Sequence, residues 1–508
     1  MPSHSQSADV SDAPSIIERN DPRFETLKRG HNLRFPATDS EAASRIVVCS
    51  IEEEIADALQ RIVTSGLRPT IRSGGHCYED FVSNNPGGAI LDLSTFNSVD
   101  RHNGTFRIAP GALLGDVYQT LYKRYGVTLP AGTCYMVGAG GHISGGGYGL
   151  LSRLHGLTSD WLTAVDILTV DSHGKVIPRH IDAQHDPDLF RACRGAGGGN
   201  FGVITRFHFG NLPTAPREVA EATLWFSWSS ITEEIFTKIL TTFGDYWATR
   251  GLESDTWGLF AILFLVPDNH SGARFGIHTQ FVDPDGTATG LSILREFLDR
   301  FASFSTELGS PSPATTPSKL HQYEIERRPW LSATLAGGGS GGGSRAKYKS
   351  AYMKQNFTPA ECKTVYHYLT NAGNQTQGIY LSVDSYGGAI NRSGRIHDTA
   401  IAQRASIMKL QWQCYWRTQE EDAARLKFTD DFFTAVYTGS HVSAEYQGTP
   451  LGDRFEGCYM NYADSDMLRY KHWPQLFYGT GSLYPFLQSV KRRYDPNNIF
   501  HSSMSIRP

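Results

Sequence analysis

The chain has 508 residues, of which 19% are charged, 40% hydrophobic and 12% aromatic. This length exceeds what one hydrophobic core serves, so we expect two or more domains, and the composition excludes wholesale disorder and a small disulfide-stapled scaffold. Lys plus Arg total 47 against 51 for Asp plus Glu, a net charge of −4, so the positive field that binds nucleic acid or an anionic membrane is absent.

No stretch approaches the roughly 18 uninterrupted apolar residues of a membrane span, and the first residues have neither the basic flank nor the apolar stretch of an export signal. We therefore expect a soluble, cytoplasmic protein, as a monomer or homodimer. Seven scattered cysteines form no C-x-x-C pair, so neither a disulfide framework nor a structural zinc site is indicated, and no bound metal is predicted.

Along the chain, residues 1–20 are rich in Ser and Asp without apolar periodicity, which predicts a disordered tail. A strand at 45–50 and a helix at 51–63, with acidic residues in its first turn, then begin a βαβ-like unit. Short strands are predicted next at 69–72, 88–93 and 106–109.

Two strands around a tight turn are predicted from 161–170 and from Val176 onward, and a further strand at 203–209. From about residue 216 the pattern changes to longer strands rich in Trp and Phe that alternate with helical segments, which predicts a second domain. We interpret the glycine tract at 337–343 as a native loop rather than an expression linker, because patterned sequence resumes directly after it.

Glycine is concentrated in two loop regions. Residues 130–156 contain nine glycines, and a second cluster spans 195–202. Glycine loops at strand ends let backbone N–H groups approach phosphates, so two of them favour a pyrophosphate cofactor. The spacing of Gly197, Gly199 and Gly202 fits G-x-G-x-x-G. A helix at 186–193 precedes it and a strand follows, which is the reverse of a Rossmann unit.

Polar residues among these loops could donate hydrogen bonds to a dinucleotide: Arg72, Ser73, His76 and Ser144. Each one alone is equally well explained as an ordinary turn or surface residue. The set as a whole favours a ligand site.

Several motifs carry a family resemblance, and they occur in chain order: Arg72–Phe81, Pro130–Cys134, Gly140–Gly149, Gly197–Gly202, Tyr459–Asp464 and Tyr494–Asn498. From about residue 22 onward the chain resembles the berberine-bridge-enzyme-like FAD-linked oxidases of the vanillyl-alcohol-oxidase superfamily. Within them it is similar to the branch with bacterial hexose oxidases and antibiotic tailoring oxidases.

The resemblance implies an α+β fold: a two-subdomain PCMH-type FAD-binding domain with an inserted α+β substrate domain, an antiparallel sheet flanked by helices. It places the FAD-binding domain at 21–215, the substrate-binding domain at 216–455, and a C-terminal return to the FAD-binding domain at 456–508.

The resemblance also implies FAD held by two covalent bonds, through His76 to the 8α-methyl and through Cys134 to C6. In isolation, His76 is better explained as a turn histidine and Cys134 as an inert buried thiol. The cofactor-binding positions carried over by motif are Arg72, Ser73, Gly74, Gly75, Gly141, His142, Gly145, Gly202, Val203, Asn461 and Tyr462. Val137 matches a position that gates oxygen, where valine accompanies oxidase activity.

Alcohol oxidation needs a base for the hydroxyl proton. Tyr459 matches a catalytic tyrosine of related oxidases, but a free phenol, with a pKa of about 10, needs a partner to act near neutrality. Asp384 matches an aspartate of oligosaccharide oxidases and could accept the proton from Tyr459. Strand spacing would also direct Tyr386 into the same cleft, so either tyrosine could be the base.

Gln411 matches an active-site Glu or Gln position of plant relatives, and its amide cannot act as a base. The alternation of Gln411, Gln413 and Tyr415 is explained nearly as well by a structural cross-strand ladder. Tyr78 could stack on a sugar ring, although core packing explains most aromatic residues equally well.

We therefore expect an FAD-dependent oxidase that converts a sugar or oligosaccharide hydroxyl and reduces O2 to H2O2. The alternative is a tailoring oxidase of a polyketide or other secondary metabolite. A flavin-carrying binding protein with little turnover is disfavoured, because Tyr459 and Asp384 offer a productive base.

Overall fold

The computed structural model describes residues 14–304, 323–336, 343–371, 378–392 and 397–508. The strands are β1 Ser15–Glu18, β2 Arg45–Val48, β3 Pro69–Arg72, β4 Ala89–Asp92, β5 Val99–His102, β6 Thr105–Ile108, β7 Leu162–Val170, β8 Val176–Asp182, β9 Val203–Phe209, β10 Glu218–Ser227, β11 Leu259–Leu265, β12 Arg274–Phe281, β13 Glu326–Pro329, β14 Arg345–Met353, β15 Ile379–Ser385 and β16 Met408–Trp416. The helices are α1 Phe24–Leu27, α2 Glu52–Thr64, α3 Leu114–Tyr125, α4 Ala139–Ser144, α5 Ser152–His155, α6 Pro187–Cys193, α7 Glu233–Ala248, α8 Ser292–Asp299, α9 Trp330–Ala336, α10 Pro359–Thr370, α11 Ala389–Arg392, α12 Asp422–Val436, α13 Trp473–Tyr478 and α14 Leu483–Tyr494. Of the predicted loop at 337–343, only Gly343 lies within the described residues.

The first sheet has the order β1-β2-β4-β3, with β2, β4 and β3 parallel. Helix α2 packs on it through the apolar stripe of Ile55, Leu59 and Ile62, as its spacing predicts. The predicted disordered tail at 1–20 is wrong for Ser15–Glu18, which pairs with β2 as an antiparallel edge strand and buries Ile17. The rest of that prediction, at 1–13, lies outside the described residues.

The second sheet is antiparallel, with the order β5-β6-β9-β7-β8. Strands β7 and β8 form the hairpin that the sequence predicts. Leu168 and Val170 of β7 and Val203 of β9 pack against α2 and the first sheet, so the two sheets share one hydrophobic core.

The third sheet is antiparallel, and its described strands have the order β13-β10-β12-β11-β15-β16-β14. Helix α10 contacts both α7 and α12, and Trp412 of β16 packs against Phe432 and Phe433 of α12. Because side chains alternate along a strand, Gln411 and Gln413 lie on the opposite face. The predicted α+β class is confirmed.

The last stretch of chain returns to the first two sheets. The ammonium of Lys491 donates to the backbone carbonyl of Asn200, and the Ile506 N–H donates to the side chain of Asn200. The guanidinium of Arg68 donates to the carbonyl of His501. Within the described ranges, no helix is both long and apolar enough to cross a membrane.

Candidate active site

A cavity of about 350 Å³ lies between the first two sheets and the third. Its walls include strand β3 and the loop after it, the glycine-rich region 130–149, the glycine cluster at 197–202, strands β11 and β15, the segment 459–463 and the C-terminal residues 501–505. The predicted site residues that line it are Arg72, Ser73, Gly74, Gly75, His76, Tyr78, Cys134, Val137, Gly141, His142, Gly202, Asp384, Tyr459, Asn461 and Tyr462.

The loop after β3 and the glycine-rich region 130–149 meet at one wall of this cavity. A Cβ on Gly74 would lie 2.4 Å from the backbone nitrogen of Gly138, so the loops approach more closely than side chains would permit. A Cβ on Gly141 or on Gly199 would meet no atom within 4 Å. These glycines border open space, and the loops form a backbone cradle that a dinucleotide could fill.

The side chain of Arg72 is held by protein partners at the start of the loop after β3. Its guanidinium forms an ion pair with Asp92 at 2.6 Å and donates to the backbone carbonyls of Leu27 and Arg29. These partners fix the loop at the cavity wall, and a role of Arg72 beside a pyrophosphate stays a prediction. The Ser73 hydroxyl likewise donates to the carbonyl of Pro110.

His76 carries an unpaired polar atom. Its ring stacks on His31 with centroids 3.5 Å apart, and burial lowers its pKa to about 3, so the imidazole is neutral at physiological pH. Its Nε2 atom is buried and has no hydrogen-bond partner. Since buried polar atoms are nearly always satisfied, this atom indicates a bound group. Cys134 lines the same cavity, half-buried.

His142 and Asn461 are fixed by backbone contacts. The Nε2 atom of His142 accepts the Gly132 N–H at 3.0 Å, and burial lowers the pKa of His142 to about 4. The amide of Asn461 donates to the His142 carbonyl at 3.0 Å. Gly145 does not line the cavity, contrary to prediction: a Cβ there would lie 1.9 Å from Oδ1 of Asn461, so it makes room for that side chain.

The hydroxyl oxygen of Tyr459 accepts a hydrogen bond from the amide of Asn461 at 2.9 Å. Burial raises the pKa of Tyr459 above the ordinary value of a phenol, as does the neighbouring Tyr462, and the ammonium of Lys409, the Asn461 amide and the Gly147 backbone offset only part of that rise. The ammonium lies 5.7 Å from the Tyr459 ring centroid. The site therefore contains groups that stabilise a phenolate against the cost of burial.

Asp384 is not the direct partner of Tyr459 that we predicted. It lies opposite Lys409 in the register of β15 and β16, and its carboxylate pairs with the Lys409 ammonium at 2.8 Å. That ammonium also donates to the Tyr462 hydroxyl at 3.2 Å and lies 4.6 Å from the Tyr148 ring centroid. Lys409 is therefore a neighbour that Asp384 and Tyr459 share.

Lys409 and Tyr148 are two site residues that were not predicted from the sequence. Lys409 has no exposed surface, and a lysine inside an otherwise buried strand is the signal that could have identified it, because such a charge needs a partner. Tyr148 lines the cavity, and its hydroxyl donates to the carbonyl of Ser385.

Three further predicted positions differ. Tyr386 comes after the end of β15 and does not line the cavity; its hydroxyl donates to the Gln403 carbonyl at 3.0 Å, so it is no candidate base. Val203 is buried in the core behind Gly202. Gln411 does not line the cavity, and its side chain neighbours the hydroxyl of Tyr78.

The predicted cross-strand ladder is present next to these residues. Gln413 donates to the Ser382 hydroxyl at 3.2 Å and accepts from Tyr415 at 2.8 Å. Tyr78 stacks on Tyr348 with ring centroids 3.5 Å apart. An aromatic wall therefore continues outward from the cavity over the third sheet.

Comparisons with known proteins agree with this geometry. Residues 43–177 match the model of an FAD binding domain, and residues 458–507 match the berberine and berberine-like model. The chain is 33% identical to the aclacinomycin-N/aclacinomycin-A oxidase of Streptomyces galilaeus, over 97% of this chain and 89% of that protein. It is also 33% identical to the hexose oxidase of Chondrus crispus, over 96% of this chain and 94% of that protein.

Solved structures show the same architecture. A glycopeptide hexose oxidase complexed with teicoplanin superimposes with a TM-score of 0.83 at 31% identity, over 98% of this chain and 99% of that one. The predicted PCMH-type FAD-binding fold is thereby confirmed.

Proposed function

The chain belongs to the berberine-bridge-enzyme-like family of FAD-linked oxidases, and on that premise we propose that it oxidises a sugar or oligosaccharide hydroxyl with flavin bound covalently through His76 and Cys134. The observation that carries the proposal is the presence of the unpaired His76 Nε2, Cys134 and the Tyr459 hydroxyl, hydrogen-bonded to Asn461, in one cavity.

The residues present fit an FAD. The cradle around Gly141 and Gly199 leaves open space for a dinucleotide, and a neutral imidazole and a thiol are the two nucleophiles that a double attachment requires. When bound, FAD supplies the two-electron acceptor. Gly74 and Gly138 keep the tethering loops in contact, so His76 is held at a fixed distance from the second loop.

Tyr459 is the proposed base. Deprotonating the substrate hydroxyl requires an acceptor whose own proton can leave. Tyr459 has two neighbours that favour its phenolate, the Asn461 amide and the Lys409 ammonium. Asp384 balances the lysine charge, and Lys409 transmits its influence to Tyr459. The phenol proton is released to solvent, and the substrate carbon gives up a hydride, so an alcohol becomes a carbonyl.

Oxygen is the proposed terminal acceptor, with H2O2 as product, so that alcohol and O2 yield carbonyl compound and H2O2 in equal amounts. Val137, which lines the cavity beside Cys134, supports this step. Because leucine is larger than valine, Val137→Leu should slow flavin reoxidation by oxygen without slowing flavin reduction.

We also propose that residues 21–215 and 456–508 form the FAD-binding domain and that 216–455 form the substrate-binding domain. The contacts of Lys491 and Ile506 with Asn200 support the C-terminal return. The position of Asp384 on the cavity wall supports a substrate site between the two domains.

A tailoring oxidase of a secondary metabolite is the second candidate. The identity to the aclacinomycin oxidase is as high as that to the hexose oxidase. The stacked pair Tyr78 and Tyr348 offers an aromatic surface that fits a fused-ring polyketide as well as a sugar.

A substrate panel decides between them. The purified yellow enzyme is mixed under anaerobic conditions with mono- and oligosaccharides and with glycosylated polyketides, and bleaching of the flavin is recorded before peroxide is measured in air. Bleaching by saccharides with stoichiometric peroxide supports the leading proposal. Bleaching by polyketides alone supports the second, and bleaching by no alcohol in either group contradicts both.

A further inference from the structure

A second cluster of ligand-type side chains lies on the five-stranded sheet, away from the cavity. Asp166 is on β7, His180 on β8 and His208 on β9. Asp166 is opposite His180 in the register, and His208 is opposite Ala164, two residues before Asp166. Directly opposed residues and i, i+2 neighbours share a face, so the fold directs all three side chains to one side of the sheet.

The three side chains meet at their polar atoms. Nδ1 of His180 lies 2.6 Å from Oδ1 of Asp166, and Nε2 of His208 lies 2.7 Å from Oδ2 of the same carboxylate. The ligand atoms all lie within 4.8 Å of one another. The side chain of His208 is 13% exposed and that of His180 57% exposed, so the cluster is sheltered on one side and open to solvent on the other.

We propose that Asp166, His180 and His208 form a binding site for a divalent transition-metal ion, with Zn²⁺ as the preferred ion. Two imidazoles and a carboxylate are a donor set that zinc takes readily, with water completing the coordination. Neither the seven cysteines nor their spacing indicates this site, because its ligands come from three strands far apart in sequence.

The geometry needs only a small adjustment. Zinc–ligand bonds of about 2.0–2.1 Å in a tetrahedral arrangement place neighbouring ligand atoms about 3.3 Å apart. The present contacts of 2.6 and 2.7 Å are therefore slightly shorter than coordination requires. The exposed His180 ring can rotate outward to open the space, and two metal bonds then replace two hydrogen bonds.

The nearest cation on this face does not compete for Asp166. Arg206 is opposite Asp166 in the register, but its guanidinium lies 3.9 Å from Glu52, 3.8 Å from Asp100 and over the ring of Phe96. The Asp166 carboxylate therefore interacts with the two histidines and is available to an ion bound between them.

The proposed site is independent of the flavin cavity, since none of its three residues lines that cavity. A bound ion would join β7, β8 and β9 and would stabilise the native state by mass action. The holoenzyme should therefore unfold at a higher temperature when zinc is present, while flavin content stays constant.

The test uses the flavin-containing enzyme after treatment with a chelator and dialysis. Titration with ZnCl₂ in a calorimeter should give one equivalent bound per chain and a rise in unfolding temperature. His180→Ala and Asp166→Asn should each weaken binding about tenfold or more. Because His180 is largely exposed, its variant should fold normally, which circular dichroism verifies.

His185→Ala is the matched control. His185 also pairs with an aspartate, Asp182, at 3.0 Å on the same hairpin, but it has no second histidine beside it. Its variant should bind zinc as the wild type does. Zinc uptake that is equal in wild type and His180→Ala, uptake lost in His185→Ala, or no uptake by wild type would each overturn the proposal.

Discussion

The Nζ atom of Lys409 lies 2.8 Å from Oδ2 of Asp384, and the lysine has no exposed surface. The pair sits at the cavity wall, where the ammonium also faces the rings of Tyr148, Tyr459 and Tyr462. Strands β15 and β16 thus bring the Asp384–Lys409 ion pair next to the tyrosines of the site. A change to this ion pair should therefore affect both the stability of the protein and the proposed chemistry.

Lys409→Met should strongly destabilise the protein. The change leaves the buried carboxylate of Asp384 without its cation, which typically costs about 3–5 kcal/mol. Denaturant unfolding of wild type and variant measures the difference in the free energy of unfolding. The double variant Lys409→Met with Asp384→Asn should recover part of the loss, because no unpaired charge remains.

Lys238→Met is the control for this comparison. Lys238 forms an exposed pair with Glu234 at 2.7 Å on α7, and such pairs contribute only about 0.3–0.5 kcal/mol. Equal losses in the Lys409 and Lys238 variants would show that the buried pair has no special role.

Tyr459→Phe should keep the flavin attached and slow its reduction by substrate about 100-fold or more, the range lost with a general base. Stopped-flow anaerobic bleaching gives the rate, and the visible spectrum gives the flavin content. Tyr368→Phe, on α10 against Phe432 and far from the cavity, serves as control. An unchanged reduction rate in the Tyr459 variant would exclude Tyr459 as the base.

Gly145→Ala should displace the Asn461 side chain, since the new Cβ would lie 1.9 Å from its Oδ1. We expect a loss of about 1–3 kcal/mol in the free energy of unfolding and slower flavin reduction, because Asn461 would no longer donate to Tyr459. Gly481→Ala has open space around its Cβ and should change neither quantity. Indistinguishable effects of the two variants would contradict the role given to Gly145.

Stability should fall in acid through His142. Burial lowers its pKa from 6.5 to about 4 in the native state, so the unfolded chain binds more protons between these values. The contribution of neutral His142 to the free energy of unfolding is complete above pH 6.5 and is lost as the pH falls toward 4. Urea unfolding at pH 7.5 and pH 4.5 should show a smaller pH-dependent loss for His142→Gln than for wild type. Identical losses would argue against a buried neutral His142.

Local sequence patterns predict seven of the described strands, β2, β3, β4, β6, β7, β8 and β9, and the helices α2 and α6. The helical stripe of α2 and the hairpin of β7 and β8 are examples, since periodicity alone determines them. The strand Ser15–Glu18 could not be predicted in this way: its four residues show no alternation, and pairing with β2 determines its conformation.

The motifs predicted which residues share the cavity but not the ion pairs and hydrogen bonds that these residues form. His76, Cys134 and Tyr459 line one space as their motifs suggested. The pairings of Arg72 with Asp92 and of Lys409 with Asp384 depend on strand register, which a single sequence does not reveal. The same limit applies to Tyr386, whose direction changes where β15 ends.

The most direct test of flavin attachment through His76 and Cys134 is the intact mass of the denatured protein. Wild type, His76→Ala, Cys134→Ala and the double variant are unfolded in acid, separated from free small molecules and weighed, and their flavin fluorescence is recorded. We predict that wild type and both single variants carry the mass of one FAD, while the double variant carries none. Wild-type protein that loses its flavin on unfolding, or a double variant that retains it, would contradict attachment through His76 and Cys134.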